Sequence, residues 1–317
     1  MMEIFELKNP GPYTTVQDGG RLGYQQFGIP LTGALDSFAY RVANFLVGNP
    51  EGAAVLETTI MGPELEILGQ ADLAVTGADA PITVNNIPIP GWSSFRVKAG
   101  DKVKIGPVQS GCRNYIAVTG GIDVPLVMGS RSCYVGATIG GYQGRIQARG
   151  DVLSRSEGHL LDKPRQLPIK LVPVYSADIV LRAVSGPQDD YFDRGLETFF
   201  ESDFSVSTHA NRMGYRLDGP PVIHREGVDK SIISEPSLPG GVQVTPDGQA
   251  IILLVEQTVG GYTKIATVVS TDISRIGQAK PGDRIRFERT NLEKAHALYR
   301  ERHELLERIR WLLEVSF

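Results

Sequence analysis

Between Ala53 and Arg155 the chain is written in short apolar runs, AAVLETTI, LEIL, ADLAVTG, ITVNNIPI, SSFRV, DKVKIG and NYIAVTGG, each closed off by Gly, Pro, Asn or Asp. Runs this short, rich in β-branched residues and punctuated by turn formers, are strand signals. A parallel pair needs a crossover of about a dozen residues or more, usually a helix, and the links here are too short for one. The segment therefore predicts an antiparallel barrel or sandwich. A doubly wound nucleotide-binding fold is excluded on the same ground.

At 317 residues the chain is long for a single domain, and two domains of about 150 residues are the natural expectation. Pro164, Pro168 and Pro173 among polar residues mark a linker. The reading is thus a first β domain over 1–165, a second over 166–290 and a helix over 291–317. VKAGDKVKI (97–105) is echoed by AKPGDRIRF (279–287), and more weakly by ARGDVL (148–153). In the first two, Gly-Asp forms a turn into a strand that alternates basic and apolar residues, as two related β halves would show.

Two helices are long enough to read from their spacing. Leu31 to Leu46 places Leu35, Phe38, Ala39, Val42, Ala43 and Leu46 at intervals of three and four, with Asp36 near the start and Gly48-Asn49-Pro50 as a stop. Leu292 to Leu313 carries an apolar stripe between charged residues and reads as a C-terminal amphipathic helix. A shorter helix is expected over Asp190 to Phe200.

Formal net charge is −4, without the basic excess that would make nucleic acid the main partner. Only Cys112 and Cys133 are available for thiol chemistry, so a disulfide scaffold and a cysteine-rich zinc site are unsupported. No run of about eighteen apolar residues is present, and MMEIFELKNPG lacks the basic and apolar regions of a secretory signal. The expected location is the cytoplasm, with no membrane partner. Several catalytic devices are missing: GxSxG, CxxC, HExxH, a phosphate loop and a biotin attachment site. No metal site is expected, and ATP or biotin would have to come from another polypeptide.

Three polar, glycine-punctuated loops remain. In the first, Gln17, Asp18 and Arg21 surround Gly19-Gly20; in the second, Asn211 and Arg212 precede Tyr215. The third follows a buried strand read over Ala250 to Val255, where Gln257, Thr258, Gly260, Gly261, Tyr262 and Lys264 form a polar glycine turn. Arg21, Arg212 and Lys264 could bind an anionic group, and Asn211, Gln257 and Thr258 could orient a small substrate. Tyr215, Tyr262 or Lys264 could move protons only with a lowered pKa. The bland alternative is that each loop satisfies its own backbone, with Asp18 and Arg21 paired, and spacing alone does not decide between the two.

The same loops carry a resemblance. TTVQDGGRLGYQQFGIPLTGALDSFAYRVANFLVGNPEGAAVLE, IGGYQGRIQARGD, NRMGYRLDGP and EQTVGGYTKIATVVSTDISRIGQAKPGDRIRF occur in that order up to about Glu288. They resemble the biotin-dependent carboxyltransferase-like family, which includes the C subunit of 5-oxoprolinase, an antagonist of a histidine-kinase inhibitor, and part of the urea carboxylase carboxyltransferase domain. The resemblance implies two cyclophilin-like β-barrel domains with a pocket between them. It implies an ATP-dependent complex with subunits A and B that opens 5-oxo-L-proline to L-glutamate, the chain being inactive alone and hetero-oligomeric. In that reading Lys264, Tyr262 and Asn211 are catalytic, and Gln17, Asp18, Arg21, Arg212, Tyr215, Gln257, Thr258, Gly260 and Gly261 bind substrate. The alternatives are a regulatory protein that binds a kinase inhibitor homologous to the B subunit, and a carboxyltransferase component fed by a separate biotin carrier. Two departures stand out: many relatives have Asp where this chain has Asn211, and an apolar residue or Arg where it has Glu256. An amide at 211 cannot replace a carboxylate as proton acceptor.

Overall fold

Three sheets carry the chain in a computed structural model that describes residues 2–315; the ends of the expected first domain and C-terminal helix, residues 1, 316 and 317, lie outside the described residues. The mainly β expectation holds. Pairing is antiparallel except between Asp178–Ser185 and Arg284–Arg289, which run parallel. Packing divides the chain into two compact units, Met1–Arg21 with Thr32–Tyr175 and Glu304–Phe317, and Leu22–Leu31 with Ser176–His303.

In the first unit a five-stranded sheet runs in the order Thr14–Gln17, Val55–Thr59, Ser110–Val118, Ala71–Asp79, Ser93–Val97. It is buried on both faces, which its sequence explains. Leu56, Leu73, Val75, Ile116 and Val118 point into a core with Phe5, Leu65, Val103 and Leu153 of the six-stranded sheet. The alternate residues Val55, Ala74, Tyr115 and Ala117 meet helix α1 (Ser37–Leu46) on the other side. Strands buried on both faces read as continuous apolar runs, and emptying one such site, for example Leu56→Ala, costs about 2–5 kcal/mol.

Helix α1 begins six residues later than its apolar spacing suggests. Thr32 and Gly33 have φ of 56° and 89°, a left-handed backbone that no helix continues through. The helix starts where Asp36 caps it, its carboxylate accepting from Ala39 N at 3.1 Å. Residues 166–175 pack with this unit, Leu167 being buried in the α1 core and Leu171, Val172 and Tyr175 lying against it. From the C-terminal helix, α4 (Leu292–Val315), Leu306, Ile309 and Leu313 join the same core. Leu292 and Tyr299, in the other half of that apolar stripe, are exposed.

The repeated Gly-Asp element is one turn built three times. In Lys98–Asp101, Ala148–Asp151 and Lys280–Asp283 the first residue's N–H donates to the aspartate Oδ2 at 2.8, 2.7 and 3.0 Å. The aspartate N–H returns a bond to that residue's carbonyl each time. Gly100, Gly150 and Gly282 adopt φ of 88–90° in these turns, which only glycine takes without strain.

The second unit is organised on an eight-stranded sheet, ordered Asp178–Ser185, Arg284–Arg289, Phe204–Ala210, Gly214–Asp218, Ala250–Leu253, Gly241–Val244, Val259–Val268, Ser231–Pro236. Helix α2 (Asp193–Glu201) stacks Phe199 on Phe287 at 4.2 Å between ring centres. The short helix α3 (Ile273–Ile276) completes the set. The expected strand at Ala250 is present and buried. Gly260 and Gly261 differ from expectation, because they lie inside the strand Val259–Val268 and not in a turn. No helix among the described residues is long and apolar enough to cross a membrane.

Candidate functional site

The first loop satisfies itself. Asp18 Oδ1 accepts from Ser130 Oγ at 2.7 Å, Ser132 Oγ at 2.5 Å and Gly20 N at 2.9 Å, while Oδ2 accepts from Arg131 N at 2.6 Å. Arg21 is fully buried and donates to the carbonyls of Val127 and Ser132 and to Thr32 Oγ1. Burial pulls its guanidinium below the usual range, with the Asp18 carboxylate opposing that shift. Gln17 donates to Thr15 Oγ1 and Cys133 O and accepts from Gly33 N. Polar groups with this many internal partners hold a loop in one shape.

Two of the expected anion binders in the second unit are likewise engaged. Arg212 is buried and its Nε lies 2.5 Å from Glu256 Oε1, so the unusual Glu256 is the counter-ion of this arginine. Lys264 donates to Glu235 Oε1 at 2.6 Å and to Pro236 O at 3.2 Å. That bond holds the Glu235 carboxyl below its usual range. Tyr215 points into the core, with its hydroxyl donating to Ala279 O at 3.2 Å.

Sheet register explains what remains. Arg216 pairs with Ile251, Ile251 with Gln243, and Gln243 with Lys264. Directly opposed residues share a face, and Tyr262, two residues before Lys264, shares it too. A bulge between Val242 and Gln243 skips Ile265 and brings Gln243 into this row. Arg216, Ile251, Gln243 and Tyr262 of this row line a cavity of about 250 Å³ in the second unit, together with His209, Asn211, Met213 and Gln257, whereas Lys264 is not among its lining residues. The structure thus gathers Asn211, Gln257 and Tyr262 at one site. Thr258, whose carbonyl accepts from Ser237 N, is not among the lining residues.

Gly260 is required here by closeness. A Cβ on it would lie 2.3 Å from Gln243 Nε2, and one on Gly261 would lie 3.2 Å from Ile232 O. Gln243 was not among the residues singled out by sequence. Its signal was a lone amide in GVQV, a strand that is otherwise small and apolar. In the glycine-rich segment 136–151 close packing accounts for two glycines, since a Cβ on Gly140 or Gly144 would fall 2.2 or 2.3 Å from Ser132 O or Thr138 C. Among the described residues no three His, Cys, Asp or Glu side chains stand close enough to hold a metal ion.

The family model for the carboxyltransferase domain, subdomain A and B, matches residues 27–289. The chain belongs to that family. It is similar to the C subunit of 5-oxoprolinase from Escherichia coli, 38% identical over 314 residues that cover 98% of this chain and 99% of that one. It is also similar to urea amidolyase of Lachancea kluyveri, 33% identical over 96% of this chain but only 18% of the relative's length. Among solved structures, the urea amidolyase of K. lactis matches with a TM-score of 0.91 and 32% identity, over 96% of this chain and 20% of that one.

Proposed function

We propose that this family member is the C subunit of an ATP-dependent 5-oxoprolinase, acting with subunits A and B to hydrolyse 5-oxo-L-proline to L-glutamate. The observation that carries this reading is end-to-end similarity to a free-standing chain named as the C subunit of 5-oxoprolinase, against a match to under a fifth of urea amidolyase. ATP supplies the driving force for opening a stable lactam and is assigned to the partner subunits, because the sequence carries no phosphate-loop motif. The enzyme works in the cytoplasm, as a hetero-oligomer that is inactive without its partners.

Within that reading, the second unit presents substrate-facing groups and the buried ion pairs hold them in place. Asn211, Gln257 and Tyr262 touch the substrate. Arg212 with Glu256 fixes the loop that carries Asn211, and Lys264 with Glu235 fixes the edge of the sheet beside Tyr262. Gln17, Asp18 and Arg21 are positioning residues, acting through the loop they stiffen. Asn211 orients the substrate by hydrogen bonding and does not serve as a general base, since an amide nitrogen takes up no proton near neutral pH.

The test is glutamate release from 5-oxo-L-proline and ATP by the purified three-subunit complex. The competing reading is transfer of a carboxyl group from carboxybiotin on a separate carrier, which the high structural similarity to urea amidolyase favours. Activity abolished by avidin would select it over lactam hydrolysis.

A further inference from the structure

The first unit holds a cavity of about 490 Å³ that the proposed function does not use. Its size falls within the ~300–1,000 Å³ of small-molecule sites. Ala53, Ala54 and Ile122 give it an apolar wall. Another wall is bare backbone at Gly120 and Gly158, for a steric reason. A Cβ on Gly120 would fall 2.2 Å from Ser156 O, and one on Gly158 would fall 2.7 Å from Gly120 N. The N–H groups of Gly158 and His159 make no hydrogen bond among the described residues, and both residues are exposed, so both groups are free to donate to a ligand.

Arg131 supplies the charge. Its backbone N–H goes to Asp18 Oδ2 at 2.6 Å, and Asp18 is not a lining residue. The guanidinium lies instead against Asp123 and Val124, the neighbours of Ile122 in the cavity wall. Nε donates to Val124 O at 2.9 Å, and Nη2 stands 3.6 Å from Asp123 Oδ1. The side chain is 31% exposed, and Nη1 has no partner among the described residues. A guanidinium with donors still open matches the two oxygens of a carboxylate. Glu157 lines the same cavity, with no ion-pair partner among the described residues. Its charge opposes a second negative charge nearby, which selects a singly charged carboxylate group over a phosphate dianion.

We infer that this cavity binds a small carboxylate metabolite, with Arg131 holding the carboxylate and the Gly158–His159 backbone donating beside it. A ligand there also acts on the Gln17–Arg21 loop, because Ser130, Arg131 and Ser132 together hold the Asp18 carboxylate. The site stands whether or not the chain serves a lactam hydrolase.

Titration calorimetry on the full chain tests it with glutarate, L-glutamate and inorganic phosphate. Saturable binding of a carboxylate is expected, with none of phosphate. Arg131→Gln removes the cation and is expected to weaken carboxylate binding about tenfold or more. Gly52→Leu fills the cavity, since Gly52 lines it, its backbone is not left-handed and an added Cβ would meet nothing within 4 Å. That variant is expected to abolish binding with an unchanged thermal unfolding curve, which separates a blocked site from a misfolded chain. Hydrogen exchange of the carboxylate-saturated wild type is expected to slow over 156–159 and at Gly20, whose N–H is bonded to Asp18. No saturable binding of either carboxylate, phosphate bound as tightly as they are, or full affinity in Arg131→Gln or Gly52→Leu overturns the inference. Exchange that slows only in the second unit does the same.

Discussion

Arg212 and Glu256 show how a residue chosen as a ligand-binding cation can have a structural occupation. Both are nearly enclosed, and breaking one partner of a buried ion pair typically costs about 3–5 kcal/mol because the other charge is stranded. Arg212→Ala is expected to lose about 3 kcal/mol in urea unfolding, whereas Arg212→Met with Glu256→Leu recovers most of that loss. A double variant no more stable than the single one would show that the pair does more than neutralise itself. His224 makes a second prediction. It is buried against Phe192, with ring centres 4.5 Å apart, and its Nε2 lies 2.8 Å from Thr263 Oγ1. Desolvation, followed by the nearby Lys230 charge, lowers its pKa from the usual 6.5. The unfolded chain therefore binds a proton that the folded chain refuses, and stability present above pH 6.5 is lost as pH falls through the lowered folded value. Thermal unfolding between pH 7 and 5 should show a steeper decline for the wild type than for His224→Phe. Parallel curves would assign the pH dependence to other groups.

At the scale of elements, the Gly-Asp turn was legible because it is local. Its four residues contain the donor, the acceptor and the glycine, and its three copies have the same hydrogen bonds. Asp283 is the most enclosed of the three, and Asp283→Ala is expected to cost about 1–2 kcal/mol in chemical denaturation, with Asp283→Asn costing less because it keeps an acceptor. Equal losses for the two substitutions would mean that charge, through Lys280 at 3.3 Å, matters more than the bond. Strands buried on both faces were legible for a similar reason, since period-two alternation disappears when each face meets a core. What could not be read was register. The glycines at 260 and 261 signal a turn by composition, yet they sit in a strand, where a Cβ on Gly260 would meet the Gln243 amide and one on Gly261 the Ile232 carbonyl. Two of the partners of Arg21, the carbonyls of Val127 and Ser132, lie over a hundred residues away, so no local pattern distinguishes a buried strut from a substrate anchor.

On the scale of the whole molecule, three loops drew attention as one site, and the structure gives them different work. In the second unit Asn211, Gln257 and Tyr262 line one cavity, while the Gln17–Arg21 loop spends its polar atoms internally. The chain belongs to the carboxyltransferase-domain family, and its match over nearly the full length of the Escherichia coli 5-oxoprolinase C subunit supports the lactam-hydrolase function proposed above. The most direct measurement is omission: the complex assembled with subunits A and B, with 5-oxo-L-proline and ATP, assayed for glutamate with and without this chain. The account predicts ATP-dependent glutamate release that requires the chain and is indifferent to avidin. Release at the same rate in its absence, or avidin-sensitive carboxylation of urea in place of glutamate, would contradict it.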